Sequence, residues 1–414
     1  PSAYLFARCS FPGKGLLRIL TTVPFILPTV VVAAGLSALL GPRGWVNMGL
    51  MQFFGLENPP IQFINTLGAI LLAHVFYNTT IVIRLVGSAW AQLDSRLEHA
   101  ARVLGASPLR TTLEVTFPLL RPAILAAALL VFLFDFTSFG VVLLLGGPRF
   151  ASLEVEIYTQ AMSMLNLPAA GLLSAIQLGC TLLLTVLYQR VNRGRSVPLI
   201  PRLKGEETRP ARTWRERLFA ASMVLLLVIL MALPLAALVG RSVARLEAER
   251  GQRETVQTAL TLDYYAELFT NRRGSLFYVP PLAALQNSLS YAGTTVLIAL
   301  TLGTLAAAAL NRRGRVNRWL DALLMLPLGA SAVTLGLGYI VVFNRPPRQL
   351  SAFPLLVPGA HSLVALPFVV RTMQPAMASI PETLRQAARV LGASPWRVWW
   401  EVDFPILARA GLVS

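Results

Sequence analysis

The sequence predicts an all-α, polytopic membrane protein made of two like helical bundles in tandem. Three observations predict it. Of the 414 residues, 55% are hydrophobic and only 13% charged, with a mean hydropathy of +0.63, whereas a soluble chain would show amphipathic elements and about twice the charge. Several apolar runs reach the ~20 residues that a helix needs to cross a bilayer. The eight residues ARVLGASP also occur twice, as Ala101–Pro108 and as Ala388–Pro395.

The elements follow in order, with sidedness taken from the positive-inside rule. Arg8, Lys14 and Arg18 lie before or at the start of a first span, Leu16–Leu40, and place that end in the cytoplasm. A Pro/Gly-rich outer loop, Gly41–Pro60, follows with Arg43 as its basic residue, and Thr66–Trp90 returns inside. Gln92–Pro118 is a polar cytoplasmic segment carrying the first ARVLGASP. Leu119–Leu145 goes out and Gly171–Tyr188 comes back to the densest basic stretch, Arg190–Arg217. In the second half, Leu218–Val239 goes out to a long polar segment, Arg241–Pro281, and Ala283–Leu310 returns. Leu320–Phe343, Phe353–Met373 and the segment Pro381–Pro405, which carries the second ARVLGASP, complete the pattern. Both copies thus fall on the cytoplasmic side. The expected divisions are a first bundle over 1–190, a basic linker over 191–217 and a second bundle over 218–414.

The net charge of +17 would suit a nucleic-acid binder. Its confinement to short segments between spans instead reads as a topology signal, with attraction to anionic membrane lipids, and no nucleic-acid partner is expected. Cys9 and Cys180 form no CxxC and say little about redox compartment. The chain starts at Pro1 and stops at Ser414 just inside a new apolar run, so it is read as a piece of a longer protein.

The repeat extends past eight residues. An offset of 287 superposes Gly105 on Gly392, Glu114 on Glu401, Pro118 on Pro405, His74 on His361 and Arg84 on Arg371. Upstream, Pro24 and Gly35 match Pro327 and Gly338 in spacing under a different offset. Parallel repeats imply two bundles related by an axis along the membrane normal.

Each copy spells a helical hairpin. Ser95–Glu98 has the form of a capping box, and Thr383–Gln386 offers one shifted by a residue. Leu97, Ala100, Ala101 and Leu104 make an apolar stripe repeated by Leu384, Ala387, Ala388 and Leu391. Gly105 and Gly392 are placed to end the helix in a left-handed conformation. Ser107-Pro108 and Ser394-Pro395 then start a second helix, closed by Pro118 or Pro405. Such a hairpin could lie on the lipid surface; duplication on one side points instead to a ledge for a two-fold symmetric partner.

These residues resemble the cytoplasmic "EAA" loop, E-A-A-x3-G-x9-I-x-L-P, of permease subunits of binding-protein-dependent ABC importers. The first copy has His99-Ala100-Ala101, Gly105, Val115, Phe117 and Pro118, and the second has Gln386-Ala387-Ala388, Gly392, Val402, Phe404 and Pro405. The leading Glu is replaced by His99 and Gln386, with Glu98 adjacent in the first copy. The resemblance implies two fused type-1 ABC permease domains in a bacterial inner membrane, similar to the ferric-iron and thiamine branch. FTSFGVVLLLGGPR (136–149), LEVEIY (153–158) and AHVFYN (73–78) are similar to stretches of that branch. It implies a coupling helix that sits in a groove of a partner ATPase dimer, carried here by Glu98, Ala100, Ala101, Gly105, Pro118, Ala387, Ala388, Gly392 and Pro405. It further implies a periplasmic or lipid-anchored solute-binding protein. Such proteins usually carry twelve spans, of which this chain would lack nearly the first two and also the last two.

No GxxxxGK[ST], HExxH, GxSxG or Cys/His cluster is present. Catalysis, a metal site and a cofactor are therefore not expected in this chain; ATP and magnesium would be bound by the ATPase subunit. Ionisable groups inside the membrane are costly and are candidates for the solute pathway. Asp135, 17 residues past Pro118 and so roughly 25 Å along a helix, is one, beside Thr137 and Ser138. It could equally be a helix–helix hydrogen-bond partner or pair with Arg149. His74, Tyr77 and Asn78 form a polar face on the preceding span, repeated in part by His361; His74 could instead satisfy a backbone carbonyl. Arg84 and Arg371 read as snorkelling anchors, and Ser331, Thr334 and Tyr339 as weaker pathway candidates. The rival class is a secondary transporter with parallel repeats, which predicts broken helices and several paired intramembrane charges.

Overall fold

The computed structural model describes residues 1–192, 209–210, 213–245, 259–270, 278–310, 317, 320–321, 323–324, 327, 332–343, 353 and 355–411. Arg193, Arg195, Arg202, Lys204 and Arg212 of the basic linker, the acidic residues Glu247, Glu249 and Glu254, and Ser331 lie outside them. Among the described residues the chain is helical apart from two pairings of two residues each, Cys9–Ser10 with Arg209–Pro210 and Ala244–Arg245 with Ala259–Leu260. Seven described helical stretches are long and apolar enough to cross a membrane.

Two compact units emerge, and they do not follow chain order. One comprises residues 1–165 with 183–266, the other 166–182 with 267–414. In the first unit the helices are α1 (Ser2–Arg8), α2 (Lys14–Ile26), α3 (Thr29–Leu40), α4 (Trp45–Phe54), α5 (Leu67–Gln92), α6 (Ser95–Val103), α7 (Pro108–Thr111), α8 (Phe117–Phe136), α9 (Gly140–Leu145) and α10 (Leu153–Tyr158). Helix α11 (Leu167–Asn192) runs from the second unit into the first, and α12 (Trp214–Val243) belongs to the first. Sequence order had grouped α12 with the second bundle. Its place in the first unit follows from small residues: a Cβ on Gly35 of α3 would stand 2.9 Å from the Pro234 carbonyl oxygen of α12. Ala38 and Ala237 pack beside that crossing. Small residues let backbones approach, the usual basis of helix contact in lipid. The core of this unit joins Val32, Leu36, Phe76, Leu145 and Met231.

Two expected spans and one expected loop differ in detail. Leu16–Leu40 is not one helix: it breaks at Leu27–Pro28 between α2 and α3, because proline donates no N–H and clashes with the preceding turn. The Leu27 carbonyl so released accepts from the Tyr77 hydroxyl at 3.2 Å. Gly41–Pro60 is not all loop, since α4 lies within it. Asn47, fully buried on α4, ties that segment down by donating to the Gly41 and Ile61 carbonyls, both at 2.8 Å, and accepting from the Ile61 N–H. Leu119–Leu145 breaks at Thr137–Phe139 between α8 and α9.

The second unit is built on α14 (Pro281–Leu310) and α16 (Leu356–Ala378), with α15 (Ala332–Phe343), α17 (Glu382–Val390), α18 (Pro395–Val398) and α19 (Phe404–Gly411), after the short α13 (Asp263–Glu267) of the polar segment. Ala299 and Ala307 of α14 pack with Val369, Met373 and Met377 of α16 and with Leu407 of α19. Ser362 of α16 donates to the Pro358 carbonyl at 2.6 Å and reaches the Thr295 carbonyl of α14 at 3.3 Å. Those bonds keep a buried hydroxyl satisfied where hydrocarbon offers no partner.

Candidate functional site

The two ARVLGASP copies fold into the same object. In the first, α6 ends where the Ala106 N–H reaches the Ala101 carbonyl and the Gly105 N–H reaches that of Arg102, both at 3.0 Å. In the second, the Ala393 N–H reaches Ala388 at 3.0 Å and the Gly392 N–H reaches Arg389 at 2.9 Å. This double closure is a Schellman motif, whose C′ residue must be left-handed; Gly105 has φ +88° and Gly392 φ +83°. Ser107 and Ser394 then cap the next helices by accepting from the N–H groups of Arg110 and Arg397, each at 3.3 Å. Arg110–Glu114 and Arg397–Glu401 pair across one turn, at 2.9 and 2.8 Å.

Neither Pro118 nor Pro405 closes its hairpin, contrary to expectation. A π-helical turn, Thr112–Thr116 or Trp399–Asp403, carries the chain on into α8 or α19. The wider π turn lies just before each proline, where the missing N–H would otherwise interrupt the α-helical ladder. The capping boxes also differ from expectation. Asp94, not Ser95, caps α6 by accepting from the Arg96 N–H at 2.9 Å, and α17 begins after Pro381 with no side-chain cap.

Glu98, left out of a capping box, does something else. It accepts from the Thr116 hydroxyl at 2.9 Å and lies 3.9 Å from Arg8, whose guanidinium also donates to the Leu93 carbonyl at 3.1 Å. The corresponding positions of the second copy are Arg385 and Asp403, joined at 2.9 Å, with Glu382 3.1 Å from Arg385. Partial burial pulls the Arg385 guanidinium down, but the bonds it donates to Asp403 and Glu382 outweigh it and hold its pKa above the ordinary value. Each hairpin is thus strapped between the same two positions, by different chemistry. Sequence reasoning missed Arg8, Thr116, Arg385 and Asp403; the offset of 287 already placed Glu98 on Arg385 and Thr116 on Asp403.

The hairpin tips stand open. Leu104 and Leu391 are each 87% exposed, with Val103 and Val390 nearly as much. The apolar stripe predicted on α6 and α17 therefore faces outward, since neither helix has a buried residue. Beside it run Leu109, Leu113 and Phe117 in the first copy and Trp396, Trp400 and Phe404 in the second, all exposed.

A second feature lies in the membrane-spanning part of the first unit. Asn78 of α5 donates to Asp135 Oδ1 at 2.6 Å, His74 Nδ1 lies 3.5 Å from the same oxygen, and His74 Nε2 lies 2.9 Å from Ser138 Oγ. Four of the six pathway candidates thus meet in one place. His74 bonds to side chains rather than to a carbonyl. Arg149 is elsewhere, over the Phe150 ring. Thr137 turns back to the Leu133 carbonyl, and His361 is exposed on α16 of the second unit. Arg84 reaches Thr22 at 3.4 Å and Arg371 reaches Asp321 at 3.6 Å, so both expected anchors have protein partners. Tyr339 packs on Phe343. Among the described residues no group of three or more His, Cys, Asp or Glu side chains could hold a metal ion.

Comparison with known proteins agrees with the resemblance to importer permeases. The chain is 26% identical over 414 residues to the thiamine transport system permease protein ThiP of Brucella suis, covering 98% of this chain and 70% of that protein. It is 28% identical to the probable ABC transporter permease protein y4fN of Sinorhizobium fredii, over 97% of this chain and 70% of that protein. A shorter match, 31% identical, covers 43% of this chain and 62% of the putative 2-aminoethylphosphonate transport system permease protein PhnU of Salmonella typhi. These relatives are transporter subunits, not enzymes. The model of the binding-protein-dependent transport system inner membrane component matches residues 1–197 and again 299–412, and this chain, a multi-pass inner-membrane permease of the ABC importer type, belongs to that family.

Proposed function

We propose that the two hairpins are the footholds by which a dimeric ATPase subunit moves the two halves of the permease. The observation that supports this is one geometry built twice, each copy with a Schellman turn and an open apolar tip. A two-fold partner requires two equivalent patches, and a rigid helical ledge transmits displacement better than a loop. Closure of the ATPase on ATP would rock the halves, and the pathway would release a solute handed over by an extracytoplasmic binding protein. Ala100, Ala101, Ala387 and Ala388 keep the ledge thin enough for close approach.

Thiamine is the favoured solute. A relative that spans 98% of this chain carries that name, while ferric iron finds no support among the relatives described. The test is reconstitution with the ATPase subunit and the thiamine-binding protein. Leu104→Glu combined with Leu391→Glu should release the ATPase from the membranes by roughly tenfold or more, as truncating an interface centre does. Undiminished co-purification of the ATPase overturns the docking reading, and absence of wild-type thiamine uptake overturns the choice of solute.

A further inference from the structure

We propose that Asp135, at the carbonyl end of α8, is a binding subsite for an organic cation on the solute's way through the first unit. The proposal rests on the reading that this chain conducts a small solute, and it specifies that solute's charge. A carboxylate within an apolar span is expensive and faces a bundle interior or a water-filled cavity, not lipid. The Asp135 side chain is one-third exposed, not sealed in.

The backbone adds a second, independent source of negative potential. Helix α8 stops at Phe136, one residue past the carboxylate, and the chain restarts as α9 only at Gly140. The carbonyl end of a helix carries roughly half a negative charge, and such ends of interrupted membrane helices are where cations bind. The surrounding side chains orient the carboxylate. His74 and Asn78 both approach Oδ1, and neither contact uses Oδ2. The imidazole is itself held by Ser138, whose Oγ lies 2.9 Å from His74 Nε2.

One carboxylate with an amide and a hydroxyl is too few hard ligands for calcium or magnesium, which take six or more oxygens. It suits a diffuse monovalent charge such as a thiazolium or a substituted ammonium. A phosphonate anion would be repelled.

The test uses the permease assembled with its ATPase subunits in proteoliposomes. A hydrophobic carbodiimide labels Asp135, and mass spectrometry follows the labelled peptide with thiamine, sodium chloride or 2-aminoethylphosphonate at equal concentration. Thiamine alone is expected to protect, slowing labelling about fivefold at four times its Kd. Failure of Asp135 to label, or protection by sodium or 2-aminoethylphosphonate as strong as by thiamine, overturns the proposal. In parallel, Asp135→Asn should cut thiamine uptake roughly tenfold or more, as expected for a desolvated cation that loses its counter-charge. Binding-protein-stimulated ATP hydrolysis should persist, and Asp135→Glu should restore uptake. Uptake at the wild-type rate in Asp135→Asn overturns the proposal, as does equal loss of uptake and ATP hydrolysis in both variants, which marks a structural role. Protection without wild-type uptake keeps the cation subsite and removes thiamine as the transported solute. Uptake without protection does the reverse.

Discussion

The two hairpins share a backbone and differ in what holds it. Schellman closure, left-handed glycine, serine cap, proline start, Arg–Glu pair and π turn are common to both. The strap across the hairpin is not. In the first copy a neutral hydroxyl meets a carboxylate, and Arg8 of α1 adds a tie from outside the repeat. In the second, a guanidinium and two carboxylates form a self-contained network. The first hairpin is therefore fastened to its own bundle through α1, whereas the second is stiff by itself. A shared shape can be reached through interchangeable polar pairs, provided the pair spans the same two points.

Exchanging the straps should produce the largest effect. Glu98→Arg with Thr116→Asp would install the second strap in the first hairpin, yet place a new guanidinium against Arg8. We expect the first hairpin to lose amide exchange protection, and Arg8→Ala added to the pair to recover it. A double-mutant-cycle analysis of exchange in membranes measures the coupling; full protection without Arg8→Ala would mean that Arg8 does not bear on Glu98.

Breaking the straps singly comes next. Asp403→Ala leaves a partly buried guanidinium with one carboxylate fewer and should cost about 1–3 kcal/mol of local stability. Thr116→Val removes one hydroxyl bond and should cost about 1 kcal/mol. Proteolysis or exchange of the two hairpins would reverse the comparison if the first proved the more sensitive.

The glycines should behave alike. A Cβ at Gly105 or Gly392 meets nothing within 4 Å, so alanine pays only for the left-handed backbone, about 1–2 kcal/mol at either site. Unequal effects in the isolated permease would show that the two turns are not equivalent. The smallest effect is expected at Arg110–Glu114 and Arg397–Glu401. Both pairs are mostly exposed, so neutralising either should leave stability at physiological salt unchanged within error.

Much of this was legible in the chain. Apolar runs of bilayer length announced the spans, and the repeated octapeptide announced the hairpins, down to Gly105, Ser107 and their partners at 392 and 394. These features depend on neighbours within a few residues, where glycine, serine and proline restrict the backbone directly. His74, Asn78 and Asp135 could be nominated from their types, because a polar group in hydrocarbon is costly wherever it points.

What the sequence determined by itself was thus local: helices, turns, the doubled hairpin and the polar residues that needed partners. Only the tertiary structure decided which partners they found. It set Glu98 on Thr116 and Arg8 rather than in a capping box, and brought Asp135 to His74 and Asn78 across two helices. It also grouped α12 with the first unit against chain order. The physical reason is range. A turn is chosen by adjacent dihedral angles, whereas a side chain's partner depends on how helices distant in sequence pack, and small residues such as Gly35 and Ala237 only permit that approach without naming who approaches.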